Sequence, residues 1–529
     1  MKMVQKILIC FVVGISGLGN LLAAAPDDLL VSSHFVGTTA AATQSAKLKE
    51  IFALPESAKL RDDVLRKLAR ASLKFVGNSG QTNQAALVQP LLQDLFDVES
   101  VIELRGKTNL ELFVAVKLSD ARSKVWETNL LKLVKGSTPV KVDGVAGWQA
   151  KANRNFLKFF RDGKWTVVAL ALEQSPAQSE FLKRVRSGLS PSKEMLEADI
   201  DWPKLQRWIP LDFIPLKLAR TELKIAAQGE NLRSTVRVVY PEKIDWKSES
   251  WQIPTESIRD PLISFTAGQK LAPFFKTSKA LEQLSFNPLT NQIYFWAQSQ
   301  MPFQSYFAAP VKNSTNTMRT LAPQLASTFN PTLKKRDGGS LTVSTNRVDL
   351  FWQNLPIIVP YLSAAKEKSG QELLLGGLFP LVRNTNLPPA ELFGQVTGQK
   401  DLVFYDWEVT EPRLSQWLIV GQLLPLFSKE IVTGPGGTNR FVPAKVPEQK
   451  WLTAIAPKLG NTITQVTFKA PNELKIVRKS HLGLNSLELL LLSHWVAHPK
   501  FPAVNPFATL HGDVRTVPSV KPPAGLPTR

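Results

Sequence analysis

The alternation of apolar and polar positions is clearest between Thr221 and Val238. Leu223 and Ile225 alternate with charged residues before a turn at Gly229, and the same alternation resumes on the far side of that turn. A period of two residues is typical of strands with one dry and one solvated face. The segment therefore predicts an antiparallel hairpin.

Apolar residues at helical spacing alternate with such strands along most of the chain. Near the N-terminus, helices are predicted at 59–76 and 83–97, strands at 100–104 and 110–118, and a helix capped by Ser119 or Asp120. Further elements follow the same pattern: a hairpin at 156–172, a helix at 178–186, strands at 292–297 and 305–309, a helix at 321–329, a hairpin at 340–352, a helix at 389–396, a strand at 402–407, helices from Thr410 and at 450–459, strands at 463–469 and 473–478, and a last helix with a capping box formed by Asn485 and Glu488.

This order of elements predicts an α+β fold, made of antiparallel sheets with packed helices. A helix, two strands and a tryptophan-bearing helix occur between Leu91 and Val134, and similar orders end at Trp417 and Trp495, although the middle copy shows only one clear strand. Two interpretations stay open. The sheets are built from diverged α-β-β-α repeats, or the order arises by chance, since the copies share few identical residues.

Composition divides the chain into segments. A break with glycine and proline at 188–193 and a polar stretch at 312–317 predict two boundaries. The resulting prediction is a signal peptide (1–24), a polar leader (25–43), an N-terminal α+β domain (44–190), a middle β-rich region (195–311), a C-terminal α+β domain (312–498) and a disordered proline-rich tail (499–529).

The first residues have the pattern of a signal peptide. Lys2 and Lys6 precede an apolar stretch from Ile7 to Leu22, and small residues follow, so cleavage is expected after Ala24. The alternative is an uncleaved membrane anchor, but the stretch is interrupted by glycines and is shorter than the ~20 residues that a span needs. We expect an exported protein, periplasmic or extracellular, with no transmembrane span after the signal is removed.

Cysteine usage narrows the possible chemistry. Cys10 is the only cysteine in 529 residues, and it lies inside the predicted signal peptide. The mature chain therefore has no thiol for catalysis, disulfide formation, zinc binding or haem attachment. No cofactor is predicted.

The chain is basic, with a formal net charge of +20, or two fewer once Lys2 and Lys6 are removed. Such an excess attracts anionic lipid headgroups or acidic polysaccharide. The charge is spread along the chain, so a generally solvated surface is the plainer interpretation. Because the protein is expected to be exported, no nucleic acid partner is expected. The sequence does not identify the partner, and an envelope protein, a lipid and an anionic glycan are the candidates.

Two pairs of acids are candidates for catalysis. Asp199 and Asp201 flank Ile200, and Asp406 and Glu408 flank Trp407. Residues i and i+2 of a strand point to the same face, so each pair presents two carboxyls to one side, as glycoside hydrolases require. The alternative is that these acids lie at strand ends and contact only water.

His494 and His498 are candidates for metal binding because a spacing of four residues places two imidazoles on one side of a helix. The segment lacks the glutamate that follows the first histidine in zinc proteases, and it ends beside Pro499. A surface helix without metal is the alternative. No nucleophile elbow or phosphate-binding loop occurs in a supporting context.

Two segments, Ile258–Thr266 and Asp406–Thr410, resemble parts of exported bacterial proteins of uncharacterised function. The resemblance implies an envelope location and brings no activity or residue roles. Three functions therefore stay open: a non-enzymatic envelope protein with a binding or structural role, which the missing motifs favour, a carrier or binder of lipid or anionic glycan, and a glycoside hydrolase that uses the paired carboxylates.

Overall fold

The computed structural model describes most of the chain between residues 28 and 502. The predicted signal peptide, and the tail beyond residue 502, lie outside the described residues. The described ranges are 28–73, 84–106, 109–134, 136–152, 154–187, 194–208, 219–244, 249–270, 291–299, 304–335, 338–344, 349–355, 358–381, 386–428, 432–433, 439–440 and 446–502.

Twenty of the strands that the structure describes form one antiparallel sheet. Their bounds are β1 Leu29–Phe35, β2 Ser100–Gly106, β3 Leu110–Lys117, β4 Thr138–Val142, β5 Val145–Ala152, β6 Asn155–Asp162, β7 Trp165–Ala171, β8 Leu196–Ile200, β9 Arg220–Gln228, β10 Asn231–Val239, β11 Leu262–Gln269, β12 Gln292–Gln298, β13 Ser305–Pro310, β14 Ser340–Val343, β15 Leu350–Gln353, β16 Tyr361–Lys366, β17 Glu372–Gly377, β18 Leu402–Val409, β21 Asn461–Ala470 and β22 Glu473–Ser480. The short strands β19 (Val432–Thr433) and β20 (Asn439–Arg440) pair with each other.

The ladder runs β4-β5-β6-β7-β3-β2-β1-β8-β9-β10-β22-β21-β18-β11-β12-β13-β17-β16-β15-β14. The prediction of several antiparallel sheets is therefore wrong, because these strands form a single sheet. The α-β-β-α repeats, one of the two interpretations that the sequence leaves open, do not form sheets of their own. Two segments with that order supply the hairpins β2–β3 and β21–β22, but these lie in the same sheet with four other strands between them. Inside the ladder, the edge that each hairpin would leave open is paired with the next unit, which satisfies its backbone groups; β4 and β14 are the two end strands, each paired on one side.

Within the described ranges, twelve helices connect the strands. Their bounds are α1 Thr38–Gln44, α2 Ala46–Phe52, α3 Pro55–Ser72, α4 Ala85–Asp97, α5 Asp120–Leu133, α6 Pro176–Arg186, α7 Trp202–Trp208, α8 Ser314–Lys335, α9 Ala390–Thr397, α10 Thr410–Ser428, α11 Gln449–Ile455 and α12 Ser486–Ala497. Among the described helices, none combines the length and the apolar character that crossing a membrane requires.

We call the face of the sheet that carries Leu104, Val114 and Asp406 the helical face. Leu104 and Val114 belong to a buried core that also includes apolar residues of α3, α4 and α5. The opposite side, which carries Phe113 and Arg237 and which we call the second face, packs against α6 near Phe113. The chain thus builds separate apolar cores along one sheet, and each core uses the inward face of one or more helices.

Strand β1 lies inside the segment interpreted as a polar leader. Leu30 and Val31 are almost fully buried, and the strand pairs with β2 on one side and β8 on the other. Its two serines made the segment look polar, so the sequence alone did not predict a strand here. The pairing with β2 and β8 shows that it is one. Strand β1 therefore connects the N-terminal part of the sheet to the middle part.

Candidate functional site

Glu408 lies on the helical face of β18, where it anchors helix α12. Its carboxylate accepts hydrogen bonds from the Ser486 backbone N–H and from Ser486 Oγ, both at 2.7 Å. The first N–H groups of a helix have no partner within the helix and favour negative charge, so a carboxylate stabilises this end. Burial raises the pKa of Glu408 above its ordinary value. The carboxylate is thus engaged in holding α12 against the sheet.

Asp406 lies on the same face, two residues before Glu408. It accepts a hydrogen bond of 2.6 Å from Thr266 Oγ1 of the neighbouring strand, and burial raises its pKa. The nearby Arg478 forms a salt bridge with Glu488, with 2.9 Å between Nη2 and Oε1. The structure therefore places the two carboxyls side by side as predicted, and both have partners within the fold.

The other pair of acids is separated from the first. Asp199 on β8 accepts a hydrogen bond of 3.0 Å from Arg220 Nε, and it lies on the second face of the sheet, opposite to Asp406. Asp201 follows the strand and accepts a hydrogen bond of 3.0 Å from the Lys204 N–H at the start of α7. Strands β8 and β18 are five ladder steps apart, roughly 24 Å. The two pairs do not meet in one site.

The two histidines also do not form a site together. His494 lies in α12, but His498 follows the last helical residue with extended backbone angles, φ −63° and ψ 137°. His498 Nδ1 accepts a hydrogen bond of 3.0 Å from the Lys500 N–H. Within the part of the chain that the structure describes, no group of three or more His, Cys, Asp or Glu side chains is placed to hold a metal ion.

An apolar cavity of about 190 Å³ lies between the helical face and helices α4 and α5. Its walls are the inward side of the two helices and the residues of β3, β6 and β7 beneath them. The main lining residues are Val88, Leu91, Leu92 and Leu95 of α4, Trp126, Leu130 and Leu133 of α5, and Leu112, Val114, Leu157, Val168 and Leu170 of the strands, with Ser72 and Ala152 at its margin.

Local sequence explains how this cavity is roofed. The apolar residues of α4 recur at helical spacing, so they form one stripe that faces the sheet. Asp94, on the flank of that stripe, accepts hydrogen bonds from Arg122 Nη2 at 2.7 Å and from Trp126 Nε1 at 2.9 Å. Asn129 Nδ2 donates to the Leu87 carbonyl oxygen at 2.9 Å. These contacts fix α4 beside α5 without filling the space below them.

The lining determines what the cavity can hold. Among the described residues that line it, only Ser72 and Trp126 carry a polar side-chain atom, and the Trp126 N–H is already bonded to Asp94. Empty cavities with such walls stay dry and bind apolar molecules. The described walls are therefore suited to binding an apolar group.

Sequence reasoning missed this cavity. The helix containing Leu91 and Leu92 was predicted, but its apolar stripe has the spacing of any core-facing helix. The lining is drawn from α3, α4, α5 and four strands, and a space between elements has no signature in any one of them. No local signal in the sequence identifies it.

Comparisons with known proteins give no family. No family model matches the chain, and no curated protein matches it. Two solved structures, titled "Structure of crystal form III of TP0453" and "Structure of crystal form I of TP0453", are 11% and 12% identical to it and cover 44% of this chain; the matches span 81% and 80% of those chains, with TM-scores of 0.24 and 0.22. At these TM-scores the likeness carries no argument about fold or function. The resemblance to uncharacterised exported proteins stays a prediction.

Proposed function

We propose that the protein is a non-enzymatic binding protein of the cell envelope whose ligand carries a hydrocarbon chain. The observation that supports this proposal is the cavity between α4, α5 and the helical face, whose walls are almost entirely aliphatic and aromatic. The envelope location rests on the N-terminal sequence pattern, and it is tested separately by fractionating host cells.

The size of the cavity sets the part of the ligand that it holds. A cavity of roughly 150 Å³ with leucine and phenylalanine walls accommodates benzene, so the 190 Å³ found here fits a segment of about seven carbon atoms. Burying a methylene group stabilises a complex by ~0.8 kcal/mol. Seven carbons therefore contribute roughly 5–6 kcal/mol, equivalent to a dissociation constant of about 0.1 mM before the entropy of association is subtracted.

A series of linear fatty acids tests the proposal. We expect the affinity, measured by titration calorimetry on delipidated protein, to rise about fourfold for each added methylene and to level off near seven or eight carbons. The heat-capacity change of binding is expected to be negative because apolar surface is buried. An affinity that does not change with chain length, and that is therefore determined by the carboxylate alone, would contradict a site for hydrocarbon.

A further inference from the structure

The second face of the sheet carries an exposed group of cations on strands β10 and β22. We call Arg233, Arg237, Lys475 and Lys479 the cationic patch. Arg233, Arg237 and Lys479 are exposed and Lys475 is half-buried. Beside Arg237 and Lys475 the surface forms a depression of about 410 Å³, whose other walls are Glu222, Lys224, Thr235, Lys469 and Glu473.

The register of these strands places like charges directly opposite each other. Arg233 is the cross-strand partner of Lys479, and Arg237 is the partner of Lys475. Opposed residues on one face have Cβ atoms about 4.5–5.5 Å apart, and like charges in that position destabilise a sheet. Two such pairs on neighbouring strands are an arrangement that the fold alone does not favour.

Carboxylates relieve only part of this repulsion. Arg237 forms salt bridges with Glu222 at 3.0 Å and with Glu473 at 2.8 Å. Arg233, Lys475 and Lys479 form no ion pair with any residue that the structure describes. Arg233 and Arg237 are four residues apart on one strand, roughly 14 Å. The patch therefore has two cationic positions, one at each end, that a single small anion is too short to bridge.

We propose that the cationic patch binds an acidic polysaccharide that lies along β10 and β22. Anionic groups at intervals along such a polymer neutralise the pair of Arg233 and Lys479 at one end and, at the other end, the lysines around the depression that remain without a carboxylate among the described residues. Thr235 and Gln465, which lie near the patch on the same face, carry side chains able to hydrogen-bond to sugar hydroxyl groups. A depression suits a polymer chain better than a flat lipid surface. This site is independent of the apolar cavity, since that cavity lies on the helical face.

The experiment compares two double variants that each remove two positive charges. Arg233→Gln with Lys479→Gln alters the patch, and Lys334→Gln with Lys335→Gln alters the exposed end of helix α8. The probe is polygalacturonate, a carboxylated polysaccharide, with uncharged dextran as the control ligand. We expect the patch variant to bind polygalacturonate at least tenfold more weakly and with a smaller salt dependence, while the helix variant binds as the wild type does.

Several results would overturn the proposal. Equal losses in both variants would mean that net charge alone attracts the polymer. Competition by inorganic phosphate at the same concentration of charge would mean a site for single anions, and stronger patch-dependent binding of phosphatidylglycerol vesicles or DNA would mean a different occupant.

In the unliganded protein, Arg233→Gln is expected to raise the melting temperature because it removes a like-charge contact, and a fall would contradict the repulsion argument.

Discussion

Filling the apolar cavity from its wall separates ligand binding from stability. Ala152 lies at the end of β5 and contributes to the cavity lining, so Ala152→Leu adds three carbon atoms that point toward the space. At ~0.8 kcal/mol for each buried carbon this is worth about 2.4 kcal/mol. Leucine loses ~0.5–1 kcal/mol of side-chain entropy on burial, and Ala152 is only half-buried. We therefore expect a net gain of about 1 kcal/mol in the free energy of unfolding.

The same substitution weakens binding because the added carbons occupy space that the ligand needs. Losing contacts equivalent to three methylene groups lowers the affinity for a fatty acid roughly fiftyfold. The matched control is Ala146→Leu, at an exposed position of the same strand, which leaves binding unchanged. Both quantities are measured on the same preparations, by urea denaturation and by calorimetry.

A packed core behaves in the opposite way. Ala169 is fully buried among the apolar residues of the second face, and Ala169→Leu is expected to destabilise the protein by about 1–3 kcal/mol because no space is available there. The reasoning is refuted if Ala152→Leu destabilises the protein as Ala169→Leu does. It is also refuted if the Ala152→Leu variant is more stable than the wild type and still binds the fatty acid with wild-type affinity.

Three further predictions concern buried and paired charges, each measured by urea denaturation. Glu408→Ala leaves two buried Ser486 donors without their acceptor and lowers the free energy of unfolding by about 2–4 kcal/mol. Since burial raises the pKa of Glu408, the contribution of this residue to stability falls as the pH rises above about 4.5. Glu408→Gln is expected to remove this dependence of the free energy of unfolding on pH. Lys158→Met leaves three oxygens at 2.7–2.8 Å without their donor and costs about 3 kcal/mol, whereas no loss would contradict the pairing. Hydrogen bonds from His34 and Lys117 lower the pKa of Glu99 to about 2, so its stabilising contribution is complete above pH 4.5 and is lost toward pH 2; Glu99→Gln flattens the stability profile in that window, and an unchanged profile would count against it.

Local elements could be predicted where the sequence carries its own signal. The hairpin predicted between Thr221 and Val238 is present as β9 and β10, and the capping box of Asn485 and Glu488 is confirmed at the start of α12. Hairpin β4–β5 was missed, although its turn, Asp143-Gly144, has φ of 50° and 84°. Tight hairpin turns need two residues with positive φ and favour the dipeptide Asp-Gly for that reason, so the sequence did contain a signal for this hairpin.

The strand order could not be predicted in the same way. Arg237 contacts Glu473, which is 236 residues away along the chain, and nothing in either strand specifies the other. The pairings of β10 with β22 and of β1 with β8 arise because open strand edges need partners. The same limit applies to the sites, since the adjacency of Asp406 and Glu408 follows from sequence spacing but their engagement by Thr266 and Ser486 depends on packing.

Native mass spectrometry of the mature protein, purified from the envelope of its own host, tests the central claim most directly. We expect a population with added mass equal to one molecule that bears a hydrocarbon chain, and we expect Ala152→Leu, prepared in parallel, to lose it while Ala146→Leu retains it. A protein that carries no such mass, and that acquires none when fatty acids are supplied, would contradict a hydrocarbon-binding function.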